Sequence, residues 1–76
     1  MKNAEIHIMD SMKGTVVWCS AKGVFLDLEN GYAAYANFGF LPKGTEVFCT
    51  VLRKPTQRYL TLVTIDAVSE TARIAA

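Results

Sequence analysis

The sequence is poor in the side chains on which most enzymes and metal sites depend. It holds a single histidine, His7, and two cysteines, Cys19 and Cys49. The cysteines lie too far apart for a CxxC redox pair or for the ligand spacing of a zinc site. The acids form no recurring motif, and neither a glycine-rich phosphate loop before a helix nor a serine with an adjacent histidine is present. We therefore expect no catalysis, no metal and no cofactor, and two reduced thiols in a cytoplasmic protein.

Long apolar runs are also absent. No stretch approaches the roughly 18 consecutive apolar residues of a membrane helix, and no run of signal-peptide length follows the first residues. We expect a soluble chain without a membrane partner. With 76 residues there is room for one domain. Because 51% of the residues are hydrophobic and the charges nearly cancel, that domain should be folded.

A strong charge of either sign is missing as well. Eight Lys and Arg residues face seven Asp and Glu, which gives a net charge of +1. The cations are nevertheless concentrated in residues 43–58, where Lys43, Arg53, Lys54 and Arg58 stand against Glu46, a local charge of +3. This segment is either a solvated face or the source of an anion-binding surface.

What the sequence does contain is alternation of apolar and polar residues with the period of β-strands. Within residues 45–52, Val47, Cys49 and Val51 share one face of a predicted strand. Asn30-Gly31 lies between the apolar runs 24–28 and 32–36 and predicts a hairpin, because both residues tolerate positive φ. Five short strands with regular turns are typical of a small all-β barrel or sandwich. The predicted strands cover residues 15–19, 24–28, 32–36, 45–52 and 58–65.

The connections and ends carry weaker patterns. Residues 37–44 contain two glycines and a proline and leave room for a short helical turn at most. Residues 5–9 alternate and could lead into the first strand. Asp66 followed by residues 67–74 resembles an N-cap and a short helix, or else a tail.

Several of these residues resemble a known family. The spacing of glycine and apolar residues is similar to that of the ribosomal-protein-S-one RNA-binding domain over residues 12–64. The resemblance implies a five-stranded OB-fold Greek-key barrel over residues 12–65, with an N-terminal extension over 1–11 and a C-terminal tail or short helix over 66–76. The matching residues are Gly14, Val16, Gly23, Phe25, Leu26, Leu28, Gly44, Val47, Cys49, Val51, Leu60 and Leu62.

The same resemblance implies a function and a site. The family binds single-stranded RNA on the outer face of strands two and three, through stacked aromatic rings and nearby basic groups. Phe25 occupies one such aromatic position. The chain departs from the family where Lys22 replaces an aromatic residue, where the third strand lacks a histidine, and where an Asp is absent near Pro55. Arg58 or Tyr59 stands near the family's arginine at the start of the fifth strand.

We therefore expect weak, sequence-tolerant binding of single-stranded RNA, or else DNA, by one small domain. For each aromatic residue the alternative is ordinary packing within a strand. The candidate residues are Lys22, Phe25, Tyr32, Tyr35, Arg53, Lys54, Arg58 and Tyr59.

A second hypothesis is a protein-interaction module or homodimer. Trp18 stands where the family has a polar residue, and Phe48 lies opposite the apolar face of the fourth strand. Because the first and fourth strands of an OB barrel are neighbours, these two rings are expected together on the outside, as a partner surface. Alternatively, Ile6 and Ile8, or the C-terminal segment with Val68 and Ile74, fold over them, or the two rings bind nucleic acid.

Overall fold

A computed structural model describes residues 5–69 as five strands that close into one barrel. The strand order around the barrel is β1-β2-β3-β5-β4, with β3 parallel to β5 and every other pair antiparallel. The predicted all-β, five-stranded barrel is confirmed, and its topology is consistent with an OB-like fold. Closure leaves no edge strand with unpaired backbone groups. The strands are β1 (Ser11–Ser20), β2 (Gly23–Leu28), β3 (Ala33–Ala36), β4 (Glu46–Arg53) and β5 (Thr61–Val68).

The core fills the barrel with one face of each strand. The predicted inner face of β4 is confirmed, since Val47, Cys49 and Val51 are at most 1% exposed. The other buried apolar residues alternate along β1, β2, β3 and β5 in the same way, as expected for a strand with one face in a core. They are Val16, Val24, Leu26, Leu28, Ala34, Ala36 and Val63, and the core is completed from outside the strands by Ile6 and Leu41.

The hairpin between β2 and β3 forms at the predicted place. Gly31 has a φ of 97°, and the side-chain oxygen of Asn30 accepts a hydrogen bond from the backbone N–H of Tyr32 (3.1 Å). Gly31 thus supplies the positive φ, whereas Asn30 contributes through its side-chain hydrogen bond and does not adopt a positive φ. The hairpin prediction is confirmed, with β3 one residue shorter than expected.

The fifth strand begins later than predicted. Thr56 organises a turn: its hydroxyl oxygen accepts hydrogen bonds from the N–H groups of Arg58 (3.2 Å) and Tyr59 (3.0 Å). This local pairing outweighs the strand propensity of residues 58–60. Within β5 it is Thr61 and Val63 that are buried, so Leu62 points outward.

The two ends of the barrel also differ from expectation. β5 continues through residues 66–68, so these residues form strand where a tail or helix was predicted, and Ser69 still donates to the Glu46 carbonyl (2.8 Å). The rest of the predicted helix lies outside the described residues. No helix long and apolar enough to cross a membrane occurs within residues 5–69.

The N-terminal segment forms a turn instead of the predicted strand lead-in. Met9 has a φ of 76°, and its N–H donates to the Val51 carbonyl (2.7 Å), while Val51 donates to the Asp10 carbonyl (2.8 Å). This arrangement places Ile6 in the core at 3% exposure and leaves Ile8 outside at 57%. The extension is thus attached to β4 and contributes one residue to the core.

Candidate nucleic-acid interface

A β-bulge in β1 determines which side chains reach the outer surface. Val16 pairs with Leu26 and Trp18 with Phe25, so Val17 is an extra residue in the ladder. After the bulge the alternation is reversed, because a bulge adds one residue to one strand only. Val16 points into the core, Val17 and Trp18 are both exposed, and Cys19 packs against the core again. Trp18 therefore lies on the outside of the barrel next to Phe25.

The residues that pair with Trp18 and Phe25 can be followed across all five strands. Phe25 pairs with Tyr35, Tyr35 with Leu62, and Leu62 with Arg53. All five side chains point outward and cross the strands in one line. We call this line, Trp18–Phe25–Tyr35–Leu62–Arg53, the outer row.

On the outer row, the Phe25 ring contacts the rings of both Trp18 and Tyr35. The ring centroids of Trp18 and Phe25 lie 5.3 Å apart with an interplanar angle of 34°. Those of Phe25 and Tyr35 lie 5.2 Å apart at 60°. Such tilted pairs are favourable arrangements for aromatic rings. Trp18 is 61% exposed, whereas Phe25 and Tyr35 are half-buried, so the three rings form an aromatic surface that is most accessible at Trp18.

Tyr35 is held in place by the start of β2. Its hydroxyl donates to the Lys22 carbonyl (2.7 Å) and lies 3.1 Å from the side-chain oxygen of Asn37. Its ring lies over Gly23, where an added Cβ would stand 2.8 Å from the ring edge and 2.5 Å from the Ala36 carbonyl oxygen. Only glycine fits beneath this ring, which gives Gly23 a role in positioning the outer row.

Basic side chains flank the outer row at two loops. Arg53 ends the row, and its guanidinium carbon lies 5.2 Å from the centroid of the Tyr59 ring, a cation–π distance. Lys54 and Arg58 are exposed in the loop that follows β4. Lys22 is exposed in the turn between β1 and β2, beside Tyr35.

Tyr32 is the one predicted binding residue that does not join this surface. It precedes β3 and packs against the core, half-buried. It shares the inward phase of Ala34 and Ala36, because side chains two residues apart lie on the same face of a strand. Its placement among the outer aromatic residues was wrong, and its role is core packing.

The proposed pairing of Trp18 with Phe48 was also wrong. Both rings are exposed, at 61% and 42%, but Phe48 pairs with Lys13 and the β1–β4 ladder ends at Thr15. Trp18 contacts Phe25 instead.

Three of the four residues expected to cover these two rings are described. Ile6 and Val68 pack on the core, and Ile8 is exposed. Ile74 lies outside the described residues. Within residues 5–69, Trp18 is 61% exposed.

Three acids lie together around a depression formed by β1, β2 and β4. Asp27, Glu29 and Glu46 line an open depression of about 300 Å³ together with Lys13. Glu29 accepts a hydrogen bond from the Lys13 backbone N–H (3.0 Å). No group of His, Cys, Asp and Glu within residues 5–69 is arranged to hold a metal ion. This acidic region meets the outer row at Asp27, which follows Phe25 by two residues on the outer face of β2.

The cysteines are both free. Burial, with smaller contributions from the charges of Asp66 and Glu29, raises the pKa of the Cys49 thiol to about 11. A thiol with a raised pKa is a poor nucleophile at neutral pH, since the thiolate is the reactive form. Cys49 thus serves as a core residue.

Comparison with protein-family models, with curated proteins and with solved structures finds no match for this chain. The resemblance to the ribosomal-protein-S-one domain therefore remains a prediction from the sequence. Two features of the outer row were not predicted, namely its extension to Trp18 and the inclusion of Leu62. Two consecutive β-branched residues before Trp18 are compatible with a bulge, but they do not specify one.

Proposed function

We propose that this protein binds single-stranded RNA, and with lower preference single-stranded DNA, across the outer row of the barrel. The single observation that carries the proposal is the line of three contacting aromatic rings that ends in an arginine. Flat rings facing solvent accept any base, because every base has a π-face. The expected binding is weak and tolerant of sequence.

The aromatic rings supply the affinity. Stacking one base on an exposed aromatic side chain is worth about 1–3 kcal/mol. Trp18 and Phe25 together offer two neighbouring platforms, and Tyr35 is held rigidly by the Lys22 carbonyl (2.7 Å). A fixed ring loses little conformational entropy when a ligand binds. Two or three stacked bases contribute about 2–9 kcal/mol before the cost of association is subtracted, in keeping with weak binding.

The two loops supply contacts to phosphates. Lys22 stands at one side of the outer row, and Arg53, Lys54 and Arg58 stand at and beyond its other end. Proteins with OB folds commonly bind oligonucleotides between these same two loops. With three or four cations and a net charge of only +1, binding should be sensitive to salt.

The free thiols support a cytoplasmic location. Cys19 and Cys49 are both free, and free thiols persist where the environment is reducing. The proposal therefore places the protein in the cytoplasm, where single-stranded RNA is available.

Titration with short oligonucleotides tests the proposal. Uniformly ¹⁵N-labelled protein is titrated at low salt with an RNA hexamer and with the DNA hexamer of the same sequence. Chemical-shift changes should appear at Trp18, Phe25, Tyr35 and Arg53 and weaken as salt is added. The absence of shift changes at millimolar RNA, or changes restricted to the Phe48 side of the barrel, would overturn the proposal.

A further inference from the structure

Phe25 has an anion beside it on the outer face of β2 and a cation in the turn before that strand. Asp27 follows Phe25 by two residues, and residues two apart in a strand point to the same face and lie about 7 Å from each other. Lys22 is exposed in the turn that immediately precedes β2, and its carbonyl accepts a hydrogen bond from the Tyr35 hydroxyl (2.7 Å). Negative charge therefore lies beside Phe25 on one side, and positive charge lies at the opposite end of the strand.

The surroundings of Asp27 leave its carboxylate accessible. Its partners across the ladder are Thr15 and Ala33, and all three residues are exposed. Small neighbours on both sides leave space above the sheet for the edge of a base. In the part of the chain that the structure describes, the hydrogen bonds and ion pairs of the acids involve Glu5, Asp10, Glu29 and Asp66, and not Asp27.

These charges orient a nucleotide stacked on Phe25. Its phosphate is attracted to Lys22 and repelled by Asp27, so the sugar-phosphate side turns toward Lys22. The opposite, hydrogen-bonding edge of the base then lies on the Asp27 side. A carboxylate only accepts hydrogen bonds, so it pairs with an amino group such as N4 of cytosine and repels a carbonyl oxygen such as O4 of uracil.

We infer that Asp27 is a specificity-determining residue of this interface and that it favours cytosine over uracil at the position on Phe25. The inference rests on the proposed function, since it concerns the same outer row. Cytosine and uracil have the same ring size and similar stacking, so their comparison isolates the chemistry of the base edge. Stacking on the rings would then accept any base at most positions, and Asp27 would add a preference for cytosine at the position on Phe25.

The experiment compares the RNA hexamers C6 and U6 by fluorescence anisotropy, at neutral pH and low salt. We expect wild-type protein to bind C6 about fivefold more tightly than U6, because one charge-assisted hydrogen bond in a solvent-exposed site is gained. Asp27→Asn should bring the ratio of the two dissociation constants to about one, because an amide can both donate and accept. The affinity for U6 should rise in this variant.

Glu29→Gln is the matched control. It removes the same charge from the same acidic region, but Glu29 lies beyond the end of β2 and not beside Phe25. It should strengthen the binding of both hexamers by the same factor and leave the C6 to U6 ratio unchanged.

The outcomes separate the inference from the proposed function. Equal binding of C6 and U6 by the wild type, or an equal change of the ratio in both variants, overturns the role of Asp27 and leaves the nucleic-acid interface standing. Failure of both hexamers to bind overturns both. A fivefold preference for C6 that only Asp27→Asn abolishes supports both.

Discussion

The two sides of the barrel each expose aromatic residues near a cation, but they arrange them differently. On the β4 side, the Phe48 ring has Lys13 as its neighbour, with 5.9 Å between the ammonium nitrogen and the ring centroid. On the other side, Trp18, Phe25 and Tyr35 contact one another and continue through Leu62 to Arg53.

The comparison shows that ladder register, and not the number of aromatic residues, makes the candidate interface. An isolated exposed ring is common on soluble proteins and requires no functional explanation. A line of rings in contact presents a continuous apolar surface, which more often marks a binding site. The variants below test whether this difference matters.

The largest expected effect is on the positioning of Tyr35. Gly23→Ala should lower the free energy of unfolding by about 1–3 kcal/mol, because the new Cβ would overlap the Ala36 carbonyl and the Tyr35 ring. Urea unfolding measures the loss. Gly39→Ala is the control, since an added Cβ at Gly39 meets no atom within 4 Å, and it should leave stability within about 0.5 kcal/mol. Equal losses in the two variants would contradict the packing of Tyr35 on Gly23.

Next in size is the contribution of single rings to binding. Phe25→Ala should weaken the binding of an RNA hexamer about tenfold, or by about 1.4 kcal/mol, because a stacking platform at the centre of the outer row is lost. Phe48→Ala removes a comparably placed ring from the other side and should change the dissociation constant less than twofold. Fluorescence anisotropy measures both. Similar losses for the two variants would show that binding does not depend on the outer row.

A smaller effect is expected on the pH dependence of stability, through the Cys49 thiol in the core. The pKa of the Cys49 thiol is raised from 9.0 to about 11 in the folded protein, so the unfolded chain releases this proton first as the pH rises. The free energy of unfolding should therefore fall as the pH rises from about 9 to about 11. Below pH 9 the thiol is protonated in both states and contributes no pH dependence. Urea unfolding at several pH values measures this slope, and Cys49→Ala should reduce it; an unchanged slope would assign the alkaline loss to other groups.

The smallest expected effect distinguishes the two lysines. Lys22→Gln should lower the slope of log K against log salt by about 0.7, the value for one phosphate contact with a single strand. Lys13→Gln, on the Phe48 side, removes an equal charge and should leave the slope unchanged. Titrations at four salt concentrations measure the slopes. A reduced slope for Lys13→Gln would place phosphate on the β4 side.

Much of the barrel could be predicted from local patterns. The strict alternation around Val47, Cys49 and Val51 fixed the inner face of β4, and Asn30-Gly31 fixed the hairpin. Both depend on interactions between residues close in sequence, which pattern analysis can detect. Phe25 on an outer face followed from the same alternation in β2.

The ends of β5 and the bulge in β1 could not be predicted, because two local structures compete there and the sequence pattern does not show which one forms. At residues 58–60 strand propensity competed with the Thr56 turn, and the turn prevailed through two backbone hydrogen bonds. At residues 66–68 an N-cap pattern competed with pairing to β4, and the ladder prevailed. The bulge at Val17 adds one residue to β1 between Val16 and Trp18, and the local sequence pattern does not specify where it falls.

The pairing of β3 with β5 has a consequence for how the interface comes into being. β1, β2 and β3 are joined by short turns, whereas Tyr35 and Leu62 lie 27 positions apart in the chain and meet only when the barrel closes. Contacts so distant in sequence form late in folding, because loop-closure entropy opposes them. The aromatic part of the outer row can assemble in an early three-stranded meander, but Arg53 joins it only at closure. A ligand that spans both parts therefore binds the closed state alone, and its binding energy becomes folding energy.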